Sequence, residues 1–279
     1  MKIAVAGSSG LIGAELLREL RERGDEVVAL PRRGTARWSL EGIDAVVNLA
    51  GASVGGKRWS PEYKKEILDS RVLPARELVQ AMRSADRKPL VLVNASAVGF
   101  YGGRGDERLD ESAGPGADFL AVVCQEWEAE ARKAEDLGVR SVQLRTGIVL
   151  SARGGALQQM LPPFKAFVGG PIGSGKQWFP WIHIADEVAA VVRAIDSDLR
   201  GPVNLVSPGI VTMKEFARAL GSALHRPSWA PVPAAALKIL LGEFAAVLLE
   251  GQRAVPKKLI DTGFEFRFPE LDAALGDLL

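Results

Sequence analysis

Three glycines at fixed spacing, set between an apolar strand and an amphipathic helix, constrain this chain more than any other feature. Ile3-Ala-Val-Ala6 runs directly into Gly7, Ser8, Ser9, Gly10, Leu11, Ile12 and Gly13, and a stripe of Leu16, Leu17 and Leu20 follows. Glycine at the turn admits positive φ, and the middle glycine lets backbone approach a ligand with no Cβ in the way. The third lets helix pack closely on strand. The unpaired N–H groups and positive dipole end of the helix then face the same space, which suits a pyrophosphate. The spacing alone is a weak signal; after a strand and opening a helix it points to a dinucleotide.

Which dinucleotide depends on the end of the second strand. An NAD-preferring protein usually places Asp or Glu there, about 20 residues past the loop, to hold the ribose 2′-hydroxyl. Here the strand ends Ala29-Leu30-Pro31-Arg32-Arg33, and the acids Asp25 and Glu26 lie at its opposite end. That end is about 13 Å away at strand spacing. Arg32 and Arg33 suit a 2′-phosphate, which guanidinium groups engage bidentately, so NADP(H) is expected; otherwise they are solvated loop residues.

The rest of the first half alternates strand and helix. Strands are expected at Lys2 to Ala6, Glu26 to Leu30, Ile43 to Leu49, Leu90 to Asn94 and Val139 to Leu144. Helices are expected at Leu11 to Arg23, Pro61 to Met82 and Asp118 to Leu137. This rhythm predicts an α/β fold, a Rossmann-type doubly wound parallel sheet with right-handed crossovers. After Thr146 glycine and proline cluster at Arg153-Gly-Gly155, Pro162-Pro163 and Gly169 to Gly175. A helix from Ile184 to Ile195, a strand-like Pro202 to Val206 and a mostly helical C-terminus follow. The expected division is a dinucleotide-binding domain, 1–150 with 181–202 packed back on it. Residues 151–180 and 203–279 form a smaller, mostly helical substrate region.

Bulk properties exclude several classes. The 279 residues carry a net charge of +1, so no global field favours nucleic acid or an anionic membrane. No run of about 18 apolar residues is present to span a bilayer, and Met1-Lys2 leads straight into a strand rather than a signal peptide. The single cysteine, Cys124, excludes an internal disulfide and fits a reducing compartment. Cytoplasm is the expected location, the partner a small-molecule substrate, and the oligomeric state is left open. No His/Cys cluster has metal-ligand spacing, so no metal is expected.

These motifs resemble the extended short-chain dehydrogenase/reductase superfamily. The resemblance rests on Gly7 to Gly13, Asn48-Leu-Ala-Gly51, Ala95-Ser-Ala-Val-Gly-Phe-Tyr-Gly102 and Trp181-Ile-His-Ile-Ala-Asp186. More closely, the chain is similar to the atypical branch called epimerase-family, or nucleoside-diphosphate-sugar epimerase-like. That branch carries a Trp-rich segment ending in Ser-Arg (Lys57-Arg-Trp59 to Ser70-Arg71) and a Phe-Leu…Trp-Glu helix (Phe119-Leu120 to Trp127-Glu128). It also carries a short C-terminal domain of unknown function, matched by Val255 to Leu259 and Gly263 to Phe266. The resemblance covers essentially the whole chain. It implies that Leu49, Ala50 and Gly51 line the adenine and ribose path and that Arg145, with Thr146, lies toward the nicotinamide.

What it implies about chemistry breaks down at one point. Active members of the superfamily use Tyr and, four positions later, a Lys that lowers the Tyr pKa and holds the ribose. The two tyrosines here, Tyr63 and Tyr101, are followed four positions on by Ile67 and Gly105. Aligned on Trp127-Glu128, the two places hold Leu120 and Cys124. The remaining candidates are Ser96, facing the substrate or satisfying a turn, and Tyr101, a proton donor or a buried, backbone-bonded phenol. Cys124 reads as a nucleophile or a small buried hydrophobe, and His183 as structural. Glu107, Asp110 and Glu111 are expected to be solvated in a polar loop. Arg253, Lys257 and Lys258 offer charge to an anionic substrate or cover the surface.

Three functional readings follow. The first is an NADP(H)-dependent oxidoreductase on an unknown small molecule, working without the Tyr–Lys pair. The second is a catalytically silent NADP(H)-binding regulator or sensor, and the third a nucleotide-sugar epimerase.

Overall fold

The computed structural model describes residues 1–32 and 38–279. The chain opens with β1 (Lys2–Ala6), α1 (Leu11–Glu22), β2 (Glu26–Ala29), β3 (Ala45–Asn48), α2 (Pro61–Ser84) and β4 (Val91–Ala97). It continues with β5 (Arg108–Leu109), α3 (Phe119–Arg132), β6 (Arg140–Thr146), β7 (Ile148–Ser151) and α4 (Gly155–Lys165). Next come β8 (Trp178–Phe179), β9 (Trp181–His183), α5 (Ile184–Asp196), β10 (Gly201–Leu205), β11 (Val211–Thr212) and α6 (Met213–Ala223). The C-terminal part holds α7 (Ala234–Leu241), α8 (Phe244–Leu249), β12 (Arg253–Ala254), α9 (Lys257–Asp261) and α10 (Leu271–Leu278).

Six strands form one parallel sheet in the order β2-β1-β3-β4-β6-β10. The chain winds outward one way from β1 and the other way from β3, so a topological switch point lies between them. Both faces are covered, which is why these strands read as continuous apolar runs. Ile3 and Val5 of β1 face one layer with Leu16 and Leu20 of α1 and Val188 and Val191 of α5. Ala4 and Ala6 face the other with Leu78 and Met82 of α2 and Ala131 of α3. The doubly wound fold expected from the alternation is the fold found.

Several boundaries differ for identifiable reasons. The helix expected to run from Asp118 to Leu137 stops at Arg132, with a 3-10 turn over Glu135–Leu137 closed by Gly138 at φ 77. Pro162 and Pro163, read as loop residues, lie inside α4; the carbonyls they leave unpaired belong to exposed Gln158 and Gln159, where water serves. The division between 202 and 203 runs through β10, whose Val203, Asn204 and Leu205 pair with Leu144, Arg145 and Thr146. Residues 203–205 are therefore part of the main sheet. A second core joins α4, β8, β9, α6 and α10 through Leu157, Phe179, Trp181, Phe216 and Leu275. Among the described residues no helix is long and apolar enough to cross a membrane.

Candidate cofactor site

At the switch point the turns after β1 and β3 touch. Gly7 has φ +77, and a Cβ on it would lie 2.6 Å from the carbonyl carbon of Leu49 and 2.8 Å from the Ala50 nitrogen. A Cβ on Gly13 would meet the Ser8 Cα at 2.8 Å and the Gly7 carbonyl oxygen closer still. Gly7 and Gly13 thus permit a close-packed backbone cradle in which any side chain would collide. Above it stands the N-terminus of α1, where Gly10 offers no side-chain cap and the first turn holds no acid. The first N–H groups of a helix have no partner within it, so the cradle presents donors and a positive dipole end to Ser9 and Gly10, which are exposed. This donor set fits a dinucleotide diphosphate. The turn at Gly155, whose Cβ would lie 3.0 Å from a Leu11 side-chain carbon, closes one flank.

Leu49 and Ala50 are half-buried and Gly51 exposed beside the cradle. They are braced from below, since Asn48 Nδ2 donates to Asn94 Oδ1 at 2.6 Å while Asn48 Oδ1 accepts from the Ala50 N–H at 3.2 Å. Arg32 is exposed past the end of β2, whereas Arg33 lies outside the described residues. The acids at the far end of β2 are occupied: Asp25 pairs with the Met1 ammonium and Arg23, each at 2.7 Å, and Glu26 with Lys2 at 2.8 Å.

Arg145, expected toward the nicotinamide, is enclosed by protein. It is 3% exposed, and its guanidinium forks onto Glu128, with Nε to Oε1 at 2.8 Å and Nη2 to Oε2 at 3.0 Å. Phe100 stacks on it at 3.5 Å, and Nη1 donates to the Tyr101 hydroxyl at 3.1 Å. Burial works against its charge, yet the fork to Glu128 prevails and raises its pKa. A guanidinium so enclosed braces α3 against β6 and has no face left for a ligand.

The two candidate proton donors meet the same cluster. Ser96 is buried and its Oγ donates to Glu128 Oε1 at 2.8 Å, so its proton is held by that carboxylate instead of facing a substrate carbonyl. Tyr101 has no exposed surface. Its hydroxyl donates toward Asn204 Oδ1 at 2.7 Å, with the Asp110 carbonyl at 3.1 Å. Burial raises its pKa against the pull of Arg145. A phenol so placed ties the segment just after β5 to β10 and offers no exposed surface to a substrate.

Leu120 and Cys124 border this region. A Cβ on Gly99 would lie 3.6 Å from Leu120 Cβ, and Cys124 is buried in one cluster with Phe100 and Tyr101. Burial pushes Cys124 up to about 12, so it stays protonated and is a poor nucleophile. Glu111 corrects another expectation: of Glu107, Asp110 and Glu111, the first two keep contact with solvent, while Glu111 is buried. Its Oε1 accepts from the backbone N–H groups of Asn204 at 3.0 Å and Lys258 at 3.1 Å. His183 Nδ1 caps α5 by accepting from the Ala185 N–H at 3.1 Å, and burial lowers its pKa. Lys257 pairs with Asp261, Lys258 donates to the Arg200 carbonyl, and Arg253 lies over Trp178; these three cover the surface of the C-terminal part.

Two charged groups escaped sequence reasoning. Arg71, on α2, donates to the Ala52 and Ile67 carbonyls at 2.9 Å each and faces Trp127 at 5.4 Å. Burial lowers its pKa, and the titrating neighbours it feels are Cys124 and Tyr63 rather than a carboxylate. Its only sequence signal was its place at the end of the Ser-Arg motif. Glu187 is fully buried in the first turn of α5, takes one bond from Thr146 Oγ1 at 2.9 Å, and leaves Oε2 without a partner. Burial pushes its carboxyl up to about 8. A raised folded pKa means that the contribution is intact below about 4.5 and is lost as pH climbs to about 8. By pH 7 the loss is roughly 3 kcal/mol. Glu187→Gln is therefore expected to melt above the wild type by a margin that widens between pH 5 and 8; parallel melting curves would refute the neutral carboxyl.

A glycine cradle at the switch point of a doubly wound sheet defines a dinucleotide-binding Rossmann protein. Residues 3–206 match the family model described as NAD dependent epimerase/dehydratase family, and residues 232–278 match a domain of unknown function, DUF1731. The chain belongs to the NAD dependent epimerase/dehydratase family and carries that C-terminal domain. Among its relatives is the epimerase family protein SDR39U1 homolog, chloroplastic, of Arabidopsis thaliana, 41% identical over 99% of this chain and 86% of the relative. The crystal structure of human epimerase family protein SDR39U1 with NADPH is 35% identical, with TM-score 0.93 over 100% of this chain and 99% of that one. A UDP-glucuronic acid 4-epimerase from Bacillus cereus, with TM-score 0.82 at 17% identity, shares the fold alone.

Proposed function

We propose that this chain binds NADP(H) and serves as an oxidoreductase on a small molecule, without a side-chain Tyr–Lys relay. The observation that carries the binding is the glycine cradle under the uncapped N-terminus of α1, with Arg32 and no acid past the end of β2. The human relative crystallised with NADPH supports the choice of cofactor. NADPH supplies a hydride when bound. The cradle holds the diphosphate, Arg32 and Arg33 engage the 2′-phosphate, and Leu49 to Gly51 bound the adenosine side. Ser96, Tyr101 and Cys124 are committed within the protein, so the accompanying proton comes from solvent or from the substrate itself. Cytoplasm remains the proposed location.

Titration of nucleotide fluorescence tests the reading. NADPH is expected to bind roughly 30-fold tighter than NADH, the worth of one or two charge-assisted bonds. Comparable affinities would refute the arginine argument, and no binding of either would refute the function. The committed hydroxyls also favour a second reading, a protein that reports NADP(H) occupancy without turning it over. NADPH oxidation above background across a panel of carbonyl substrates separates the two.

A further inference from the structure

We propose that Arg71 supplies the cation that the Tyr–Lys relay would otherwise provide, binding the nicotinamide-side ribose of the cofactor from α2 instead of α3. This rests on the NADP(H) reading above. The lysine's place is held by Cys124, an uncharged thiol. Arg71 approaches α3 from α2: its guanidinium faces the ring of Trp127, three positions past Cys124, at 5.4 Å, and its aliphatic stem and guanidinium pack on Gly51. A Cβ at Gly51 would lie 3.2 Å from Arg71 Cζ, so the cation extends the wall of the cofactor path from the adenosine-side loop toward α3.

The local helix is built for this. Pro74 in α2 has no N–H for the Ser70 carbonyl four residues back. Ser70 Oγ holds the loop by accepting from the Ala52 N–H at 2.9 Å, and Arg71 holds it by donating to the Ala52 carbonyl. No carboxylate pairs with Arg71 among the described residues. A half-buried arginine held by two carbonyls, the Ser70 hydroxyl and the Trp127 ring carries a charge that a bound hydroxyl or anion can still answer. Its guanidinium keeps donors in a fixed fork, which suits a vicinal diol.

The test compares NADPH with adenosine 2′,5′-bisphosphate, which has the phosphorylated adenosine half and lacks the nicotinamide ribose. Arg71→Met is expected to weaken NADPH roughly 10- to 100-fold while leaving the bisphosphate within about twofold. Arg71→Lys is expected to retain most of the affinity, and Cys124→Lys in the Arg71→Met background to restore part of it. Equal weakening of both ligands, or of neither, overturns the proposal. A wild type that fails to bind NADPH overturns the functional reading itself. Melting temperatures identify a variant that fails to fold, in which case Arg71→Lys and Arg71→Gln decide.

Discussion

Arg145→Met is expected to destabilise the protein by about 3–5 kcal/mol, because it leaves the Glu128 carboxylate charged and unpaired in a place with no exposure. For a chain of this size that is a fall in melting temperature of roughly 10 °C. The loss comes less from the fork than from the stranded carboxylate, whose other partner, Ser96, offers one proton. Removing both charges together, as Glu128→Leu with Arg145→Met, is therefore expected to be milder than Arg145→Met alone. Thermal unfolding of the two variants distinguishes the cases. A double variant as unstable as the single one would mean that shape around Phe100, not charge, dominates.

The second large effect concerns ligand binding. Gly13→Ala puts a methyl group 2.8 Å from the Ser8 Cα and against the Gly7 carbonyl, both backbone atoms that cannot turn aside. The N-terminus of α1 must move off the cradle, and NADPH affinity is expected to drop 100-fold or more, about 3 kcal/mol. Gly276 in α10 is the matched control: nothing lies within 4 Å of a Cβ there, and alanine is expected to leave binding unchanged. Wild-type affinity in Gly13→Ala, measured by the same titration, would show that the diphosphate is held elsewhere.

The cradle was legible because its signal is local. A strand, three glycines and a helix within the first 22 residues define backbone geometry without help from distant segments. The parallel sheet was legible from the alternation of elements, since each crossover helix announces itself by its own stripe. The buried cluster was not. Glu128 entered through the Trp-Glu motif and Arg145 as a residue toward the nicotinamide, yet one lies on α3 and the other on β6, and nothing in their spacing pairs them. Glu111 was misread for a related reason. A polar, glycine-rich loop looks solvated until β12 and α9, more than 140 positions later, are laid over it. Arg71 entered only as the end of the Ser-Arg motif, because an arginine on a helix is ordinarily a surface residue and it is the packing of Gly51 and Trp127 that half-buries it.

The backbone groups that Glu111, Asp186 and Asn204 hold have a consequence for how the molecule comes apart. Asp186 accepts from the N–H groups of Arg267 and Phe268 at 2.7 and 2.9 Å, and Asn204 donates to the Val255 carbonyl at 2.9 Å. Peeling away the last quarter of the chain would strand these buried side chains, each at a cost comparable to a core cavity. The two family matches divide the chain between residues 206 and 232, but buried hydrogen bonds cross that division. A partner that loosened the tail would therefore leave Glu111, Asp186 and Asn204 with buried polar groups to satisfy elsewhere.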